Sequence, residues 1–135
     1  MVGKVLHDVR DNVVIATKFG IHNIEGKSST QEIAVDSSPE AIRKSVEGSL
    51  KRLNTDHIDL YYQHRIDPKF SPEEVAQVMG ELIKEGKITH WGISEATPDY
   101  LRRANVSNNG NISSYSMMYR EYEEMFPLLE ELNVG

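Results

Sequence analysis

The sequence predicts an α/β domain in which parallel strands alternate with outer helices, about four βα units in all. Three observations predict it. Short apolar runs rich in β-branched residues alternate with segments of helical periodicity. Two of those segments open on the same signal, Ser38-Pro39-Glu40 and Ser71-Pro72-Glu73. The stretch from Leu50 to Pro68 reads as a helix end, a tight turn, a buried strand, then His64-Arg65 where the strand stops. Alternation of this kind implies right-handed crossovers between neighbouring parallel strands.

Taken in order, residues 2–11 read as the tail of a helix. Val13 to Lys18 is a β-branched apolar run and reads as a strand covered on both faces. Phe19 to Ser37 is polar, with Gly20, Gly26 and a Lys-Ser-Ser-Thr run, and reads as one long loop. Ser38 then supplies an N-cap, Pro39 fits the first helical position, and Glu40 meets the positive end of the helix. Ile42, Val46, Leu50 and Leu53 recur at helical spacing, and Asn54 suits a left-handed stop. Ile58 to His64 is the second strand. Ser71 and Glu74 are spaced for a capping box, followed by the stripe Val75, Val78, Met79, Leu82 and Ile83. Gly86 ends that helix and Lys87 to Ile93 is the third strand. Thr97-Pro98-Asp99 starts a third helix that runs through Ala104. Asn105 to Asn111 reads as loop and Ile112 to Met117 as a fourth strand. Tyr122, Met125, Phe126, Leu129 and Leu132 mark a last amphipathic helix.

Composition narrows the partners. At 135 residues the chain fits one domain, and a chain this size buries roughly 65–70% of its unfolded surface. A net charge of −6 argues against nucleic acid, whose phosphates need a basic face. The absence of cysteine excludes disulfides and thiolate-bound metals. No apolar run is long enough to span a bilayer and the start has no signal-peptide pattern, so the cytoplasm is the expected location. No Gly-x-Gly-x-x-Gly follows any strand, which leaves a dinucleotide-binding Rossmann unit unsupported. By pattern alone both a barrel and a doubly wound sheet remain open.

Three strand ends carry candidate chemistry: Lys18, then His64, then Ser94 with Glu95. In a parallel barrel such ends share one rim, where polar groups converge. Each has a plainer reading. Lys18 also fits a solvated residue leaving its strand, His64 a hydrogen-bonded structural histidine, and Ser94 a turn residue. Arg65 and Asp67 read as a surface ion pair. His7, His22, His57 and His90 make no metal-ligand spacing, so no metal is expected.

The segments together resemble the aldo-keto reductases. The matching residues are Ile15 to Gly20, Asp36 to Glu40, Ser49 to Leu53, Thr55-Asp56, and Ile58 to Pro68 with its Gln63-His64-Arg65-Ile66-Asp67-Pro68 motif. Leu82 to Ile88, Trp91 to Glu95 and Tyr115 to Met118 follow. Order and spacing agree through Ala104. The resemblance implies an eight-stranded (β/α) TIM barrel, of which residues 1–135 would form a single partial barrel domain, its central half. It implies reduction of a small aldehyde or ketone by NADPH. Hydride passes to the carbonyl carbon and a tyrosine hydroxyl supplies the proton. The lysine matched by Lys18 lowers that tyrosine's pKa, because a nearby cation favours phenolate. The histidine matched by His64 holds the carbonyl. Ser94 and Glu95 match residues that bind the cofactor's carboxamide.

The resemblance also has gaps. The family's proton-donor tyrosine and its aspartate lie on a segment before the first strand, and Tyr61, Tyr62, Tyr100, Tyr115, Tyr119 and Tyr122 do not match that tyrosine. The phosphate-binding segment would follow Gly135. Ile112 stands where the family usually has glutamine. The expectation is a chain with little or no activity by itself, whose open barrel edges favour self-association. The alternative is a non-catalytic remnant or assembly partner that keeps the scaffold; a plain α/β binding module is a third reading.

Overall fold

A computed structural model gives the fold and describes residues 2–23, 33–107, 112–116 and 125–134. The chain runs α1 (Val2–Leu6), a 3-10 helix (His7–Asn12), β1 (Ala16–Phe19), β2 (Ile21–Asn23), β3 (Ile33–Val35) and α2 (Pro39–Leu53). It continues through β4 (Ile58–Gln63), α3 (Pro72–Lys84), β5 (Ile88–Ser94), α4 (Pro98–Ser107), β6 (Ile112–Ser116) and α5 (Phe126–Leu132). One parallel sheet has the order β1-β4-β5-β6, and β2 and β3 form a separate antiparallel ribbon.

The helix starts form as their sequences require. The Ser38 hydroxyl accepts from the Ala41 N–H at 3.2 Å. Ser71 and Glu74 form a complete capping box, the Ser71 N–H donating to the Glu74 carboxylate at 2.8 Å and the Glu74 N–H to the Ser71 hydroxyl at 3.3 Å. Asn54 closes α2 in the left-handed conformation at φ 54°. These caps satisfy helix-end groups that would otherwise lack partners.

Register decides what each strand buries. Thr17 is level with Tyr61 and Trp91, and Phe19 with Gln63 and Ile93. Phe19, Tyr61, Gln63, Trp91 and Ile93 are buried on the helix side of the sheet. All of these but the polar Gln63 join Ile42 and Val46 of α2, Val75, Met79 and Leu82 of α3, Leu101 and Ala104 of α4, and Leu128 and Leu129 of α5 in one core. Each large apolar side chain fully removed from water contributes about 1.5–3 kcal/mol. The Phe19 and Tyr61 rings pack with centroids 4.9 Å apart.

Several expectations change. The first strand begins at Ala16 rather than Val13, and Val14 is 78% exposed. It is covered on one face only: Ile15 and Phe19 are buried, whereas Ala16 and Lys18 are exposed. A β-branched run reports strand propensity, but burial of the second face depends on neighbours that this sheet does not place there. The long loop after Phe19 contains the β2–β3 ribbon; its residues 24–32 lie outside the described residues. Residues 2–11 are not one helix, because Val9 at φ −127° interrupts the turn. α4 continues to Ser107, with Asn105 buried, since packing outweighs weak intrinsic propensity. In α5 the buried residues are Leu128 and Leu129, while Phe126 is exposed. Tyr122 lies outside the described residues.

An unforeseen clasp joins the N-terminal segment to the start of β4. Arg10 donates from Nε to Thr55 Oγ1 at 2.9 Å and from Nη2 to the His57 carbonyl at 3.1 Å. Its Nη2 also lies 2.9 Å from Asp59 Oδ2. The same carboxylate oxygen accepts the Ile15 N–H at 2.7 Å, which fixes the entry to β1. Nearby, a Cβ on Gly3 would lie 2.3 Å from the Leu53 carbonyl oxygen, so only glycine lets α1 approach the end of α2. Arg10→Ala leaves the half-buried Asp59 without its cation and is expected to cost about 2 kcal/mol. A lower urea midpoint with unchanged slope checks this.

Candidate functional site

Side chains alternate across a strand, so the neighbours of the core residues face the other way. Lys18 is level with Tyr62, and Tyr62 with Gly92. The Lys18 ammonium lies 5.8 Å from the centre of the Tyr62 ring, within the range of a cation–π contact. His64 follows the last residue of β4, and its backbone N–H donates to the Phe19 carbonyl at 3.0 Å. Burial, and then the positive charges of Lys18 and Arg65, hold the His64 imidazole below its ordinary pKa. Lys18 and His64 therefore share a face and feel each other's charge. Lys18 is exposed, so that face is open.

Ser94 is the last residue of β5 rather than the first residue beyond it. Its hydroxyl is buried and has no hydrogen-bond partner among the described residues. An unpaired buried polar atom is costly, so the Ser94 hydroxyl has bonding capacity left for a water or a ligand. Glu95 follows at φ 60°, a left-handed conformation that disfavours a glutamate. Its carboxylate pairs with Arg65. Arg65 thus pairs across the strand ends with Glu95, and the expected Arg65–Asp67 surface pair does not form. Asp67 is 2% exposed. Its carboxylate accepts the Ser37 N–H at 3.2 Å and the Lys69 N–H at 3.0 Å.

Sequence reasoning missed a buried polar group behind His64. The Gln63 amide NH2 donates to Ser37 Oγ at 3.2 Å, and the Tyr100 hydroxyl donates to Gln63 Oε1 at 3.0 Å. Burial pushes the Tyr100 phenol up, against the opposing effect of its bond to Gln63. The two-residue period offered a clue, because it puts Gln63 on the same side as Tyr61, in the core.

The residues present fit a nicotinamide carboxamide. The buried Ser94 hydroxyl can donate to an amide carbonyl, and the Glu95 carboxylate can accept from an amide NH2. A hollow of about 1030 Å³ lies elsewhere, between the β2–β3 ribbon and α2, lined by residues such as His22, Asp36 and Lys44. It includes none of Lys18, His64 and Ser94. Among the described residues no group of His, Asp or Glu is placed to hold a metal, and no helix is long and apolar enough to cross a membrane.

Comparison with known proteins agrees with the geometry. The model of the aldo/keto reductase family matches residues 1–135. The chain belongs to the aldo/keto reductase family. "Probable aldo-keto reductase 1" from Glycine max is 39% identical over 139 residues, covering 100% of this chain and 39% of that protein. The holo form of aldo-keto reductase AKR11C1 from Bacillus halodurans is 36% identical with a TM-score of 0.85, covering 99% of this chain and 45% of that one. The glycerol dehydrogenase AKR11B4 from Gluconobacter oxydans is 29% identical with a TM-score of 0.86, covering 98% of this chain and 42% of that one. These reductase folds are (β/α)8 barrels, and the four parallel strands are part of one. The chain spans less than half the length of the relatives it matches.

The depressed His64 pKa has a definite sign. The unfolded chain takes the proton more readily, so the stability that His64 contributes is present above roughly pH 6.5 and is lost as pH falls through the lower folded value. Lys18→Met removes one of the two charges opposing protonation. Its expected effect is an upward move of the His64 midpoint, read from the imidazole ring signals by NMR.

Proposed function

We propose that this reductase chain supplies the lysine–histidine side of a site that reduces aldehydes or ketones with NADPH. One observation carries the reading: Lys18 and His64, from neighbouring strands, face one open side of the sheet with their charges coupled. When bound, a dihydronicotinamide would supply a hydride to the carbonyl carbon. Ser94 and Glu95 hold its carboxamide. His64, kept neutral at physiological pH, donates an N–H to the substrate carbonyl oxygen and draws electrons from the carbonyl carbon. The Lys18 ammonium would lower the pKa of a tyrosine that delivers the proton to the carbonyl oxygen. By the resemblance, none of Tyr61, Tyr62, Tyr100, Tyr115, Tyr119 and Tyr122 is that tyrosine. The choice of NADPH rests on the family resemblance. The name of the Gluconobacter relative, a glycerol dehydrogenase, supports interconversion of alcohols and carbonyls.

The exposed inner face favours a second reading. Ala16, Lys18 and Val14 lie open on the β1 side, which suits a chain that associates with a copy of itself or serves as an assembly partner without turnover.

The 135-residue chain alone is expected to show background turnover of a broad aldehyde, and clear turnover would overturn the need for an outside tyrosine. In an active closed barrel that contains this chain, Lys18→Met and His64→Ala are each expected to lower kcat/KM by about 100-fold or more. A loss below about tenfold in both sinks the catalytic reading and leaves the assembly role. Ser94→Ala is expected to leave Tm unchanged or slightly raised, because it deletes an unpaired buried hydroxyl. Fluorescence titration of the closed barrel should show NADPH affinity falling about 5- to 100-fold.

A further inference from the structure

We infer that Gln63 is a positioning residue, whose side chain, clamped at both ends within the helix layer, sets the height and direction of the His64 imidazole against Lys18. The inference rests on the proposed roles of Lys18 and His64.

β4 ends at Gln63, and beyond it the backbone leaves the sheet with the Phe19 carbonyl as the last sheet partner of His64. Gln63 is the last β4 residue paired with both β1 and β5, and strand ends fray where such pairing stops. Here the preceding side chain prevents that. Gln63 is 0% exposed and both ends of its amide are engaged, by Ser37 at 3.2 Å and Tyr100 at 3.0 Å. Ser37 is tied in turn through its N–H to the Asp67 carboxylate at 3.2 Å. One amide therefore gathers the β3–α2 connection, the β4–α3 connection and α4 behind a single point of the rim. Tyr61, one step before on the same face, shows that an apolar body fills this layer well, since its ring packs on Phe19. A glutamine here must lose its hydration and regain it as two directed bonds. Those bonds add direction, which packing alone does not supply. Direction matters next to a reacting carbonyl, where a displacement of about 1 Å can cost about 100-fold in rate.

The groups facing His64 among the described residues are the Lys18 ammonium from β1 and the neighbouring Arg65 guanidinium, which is itself paired with Glu95 at the end of β5. If the clamp is released, the imidazole gains water and moves from Lys18. Both changes favour its protonation.

The experiment follows the His64 ring signals against pH in the ligand-free chain, for Tyr100→Phe, Gln63→Leu, and each combined with Lys18→Met. Tyr100→Phe deletes one oxygen and keeps the ring in place, so it reports even if Gln63→Leu does not fold. The expected result is an upward shift of the His64 midpoint toward the roughly 6.5 of a free imidazole, with the response to Lys18→Met diminished or lost. Ile93→Val, level with Gln63 in the same layer, loosens packing without touching the amide and is expected to leave the midpoint where it was. If Tyr100→Phe and Gln63→Leu lower Tm as Ile93→Val does while the midpoint and its response to Lys18→Met stay as in the parent chain, the positioning role is overturned. A parent chain in which Lys18→Met leaves His64 unmoved would instead strike at the proposed site itself. The measurement needs neither cofactor nor turnover, so those two failures are distinguishable.

Discussion

The parallel register of β1, β4 and β5 is the constraint on which the rest of this structure depends. Alternation means that a slip of one residue would exchange the two faces of a strand. Phe19 would then turn outward and Lys18 inward, leaving an ammonium in a layer occupied by Tyr61, Trp91 and Ile93. Burying an unpaired charge costs far more than any local gain could return, so the core residues hold the register and the register places the chemistry. Lys18 occupies the open face because Phe19 must occupy the closed one. At the other end of the strands, Arg10 and Asp59 fix where β1 begins, so the same register is defined from both ends.

Legibility in the sequence followed the range of the interactions concerned. Helix starts at Ser38 and Ser71 were readable because a cap and its partner lie within a few residues, and the Asn54 stop for the same reason. The parallel sense of the strands followed from alternation with crossover helices. Lys18 and His64 were legible as neighbours because parallel strands carry their ends to one rim. What escaped was long-range. The Arg10 clasp joins residues far apart in the chain, and nothing near Arg10 announces Thr55 or Asp59. Asp67 looked like a surface partner for Arg65 because the two are close in sequence, yet the chain turns Asp67 inward to cap backbone N–H groups. Glu95 was read as a carboxamide ligand by resemblance alone, and its left-handed backbone and its pairing with Arg65 needed coordinates.

The two layers of the sheet solve different problems. In the helix layer Gln63, Ser37, Asp67 and Tyr100 meet in one buried polar group, where the partners shown leave the Gln63 amide and the Asp67 carboxylate engaged at both ends. In the open layer the Ser94 hydroxyl lacks a partner among the described residues, and the Lys18 ammonium lies over the Tyr62 ring and acts on the charge of His64.

The cations at the strand ends also shape what a reactant meets on its way in. The chain as a whole carries −6, yet Lys18 and Arg65 stand together at one rim, with Glu95 offsetting one of them. For an incoming molecule bearing phosphates, the distant field repels while the last few ångströms attract. At physiological ionic strength the repulsion fades beyond about 8 Å and the short-range attraction survives. Moderate salt should therefore hasten the approach of such a molecule, the reverse of what an evenly basic surface would do.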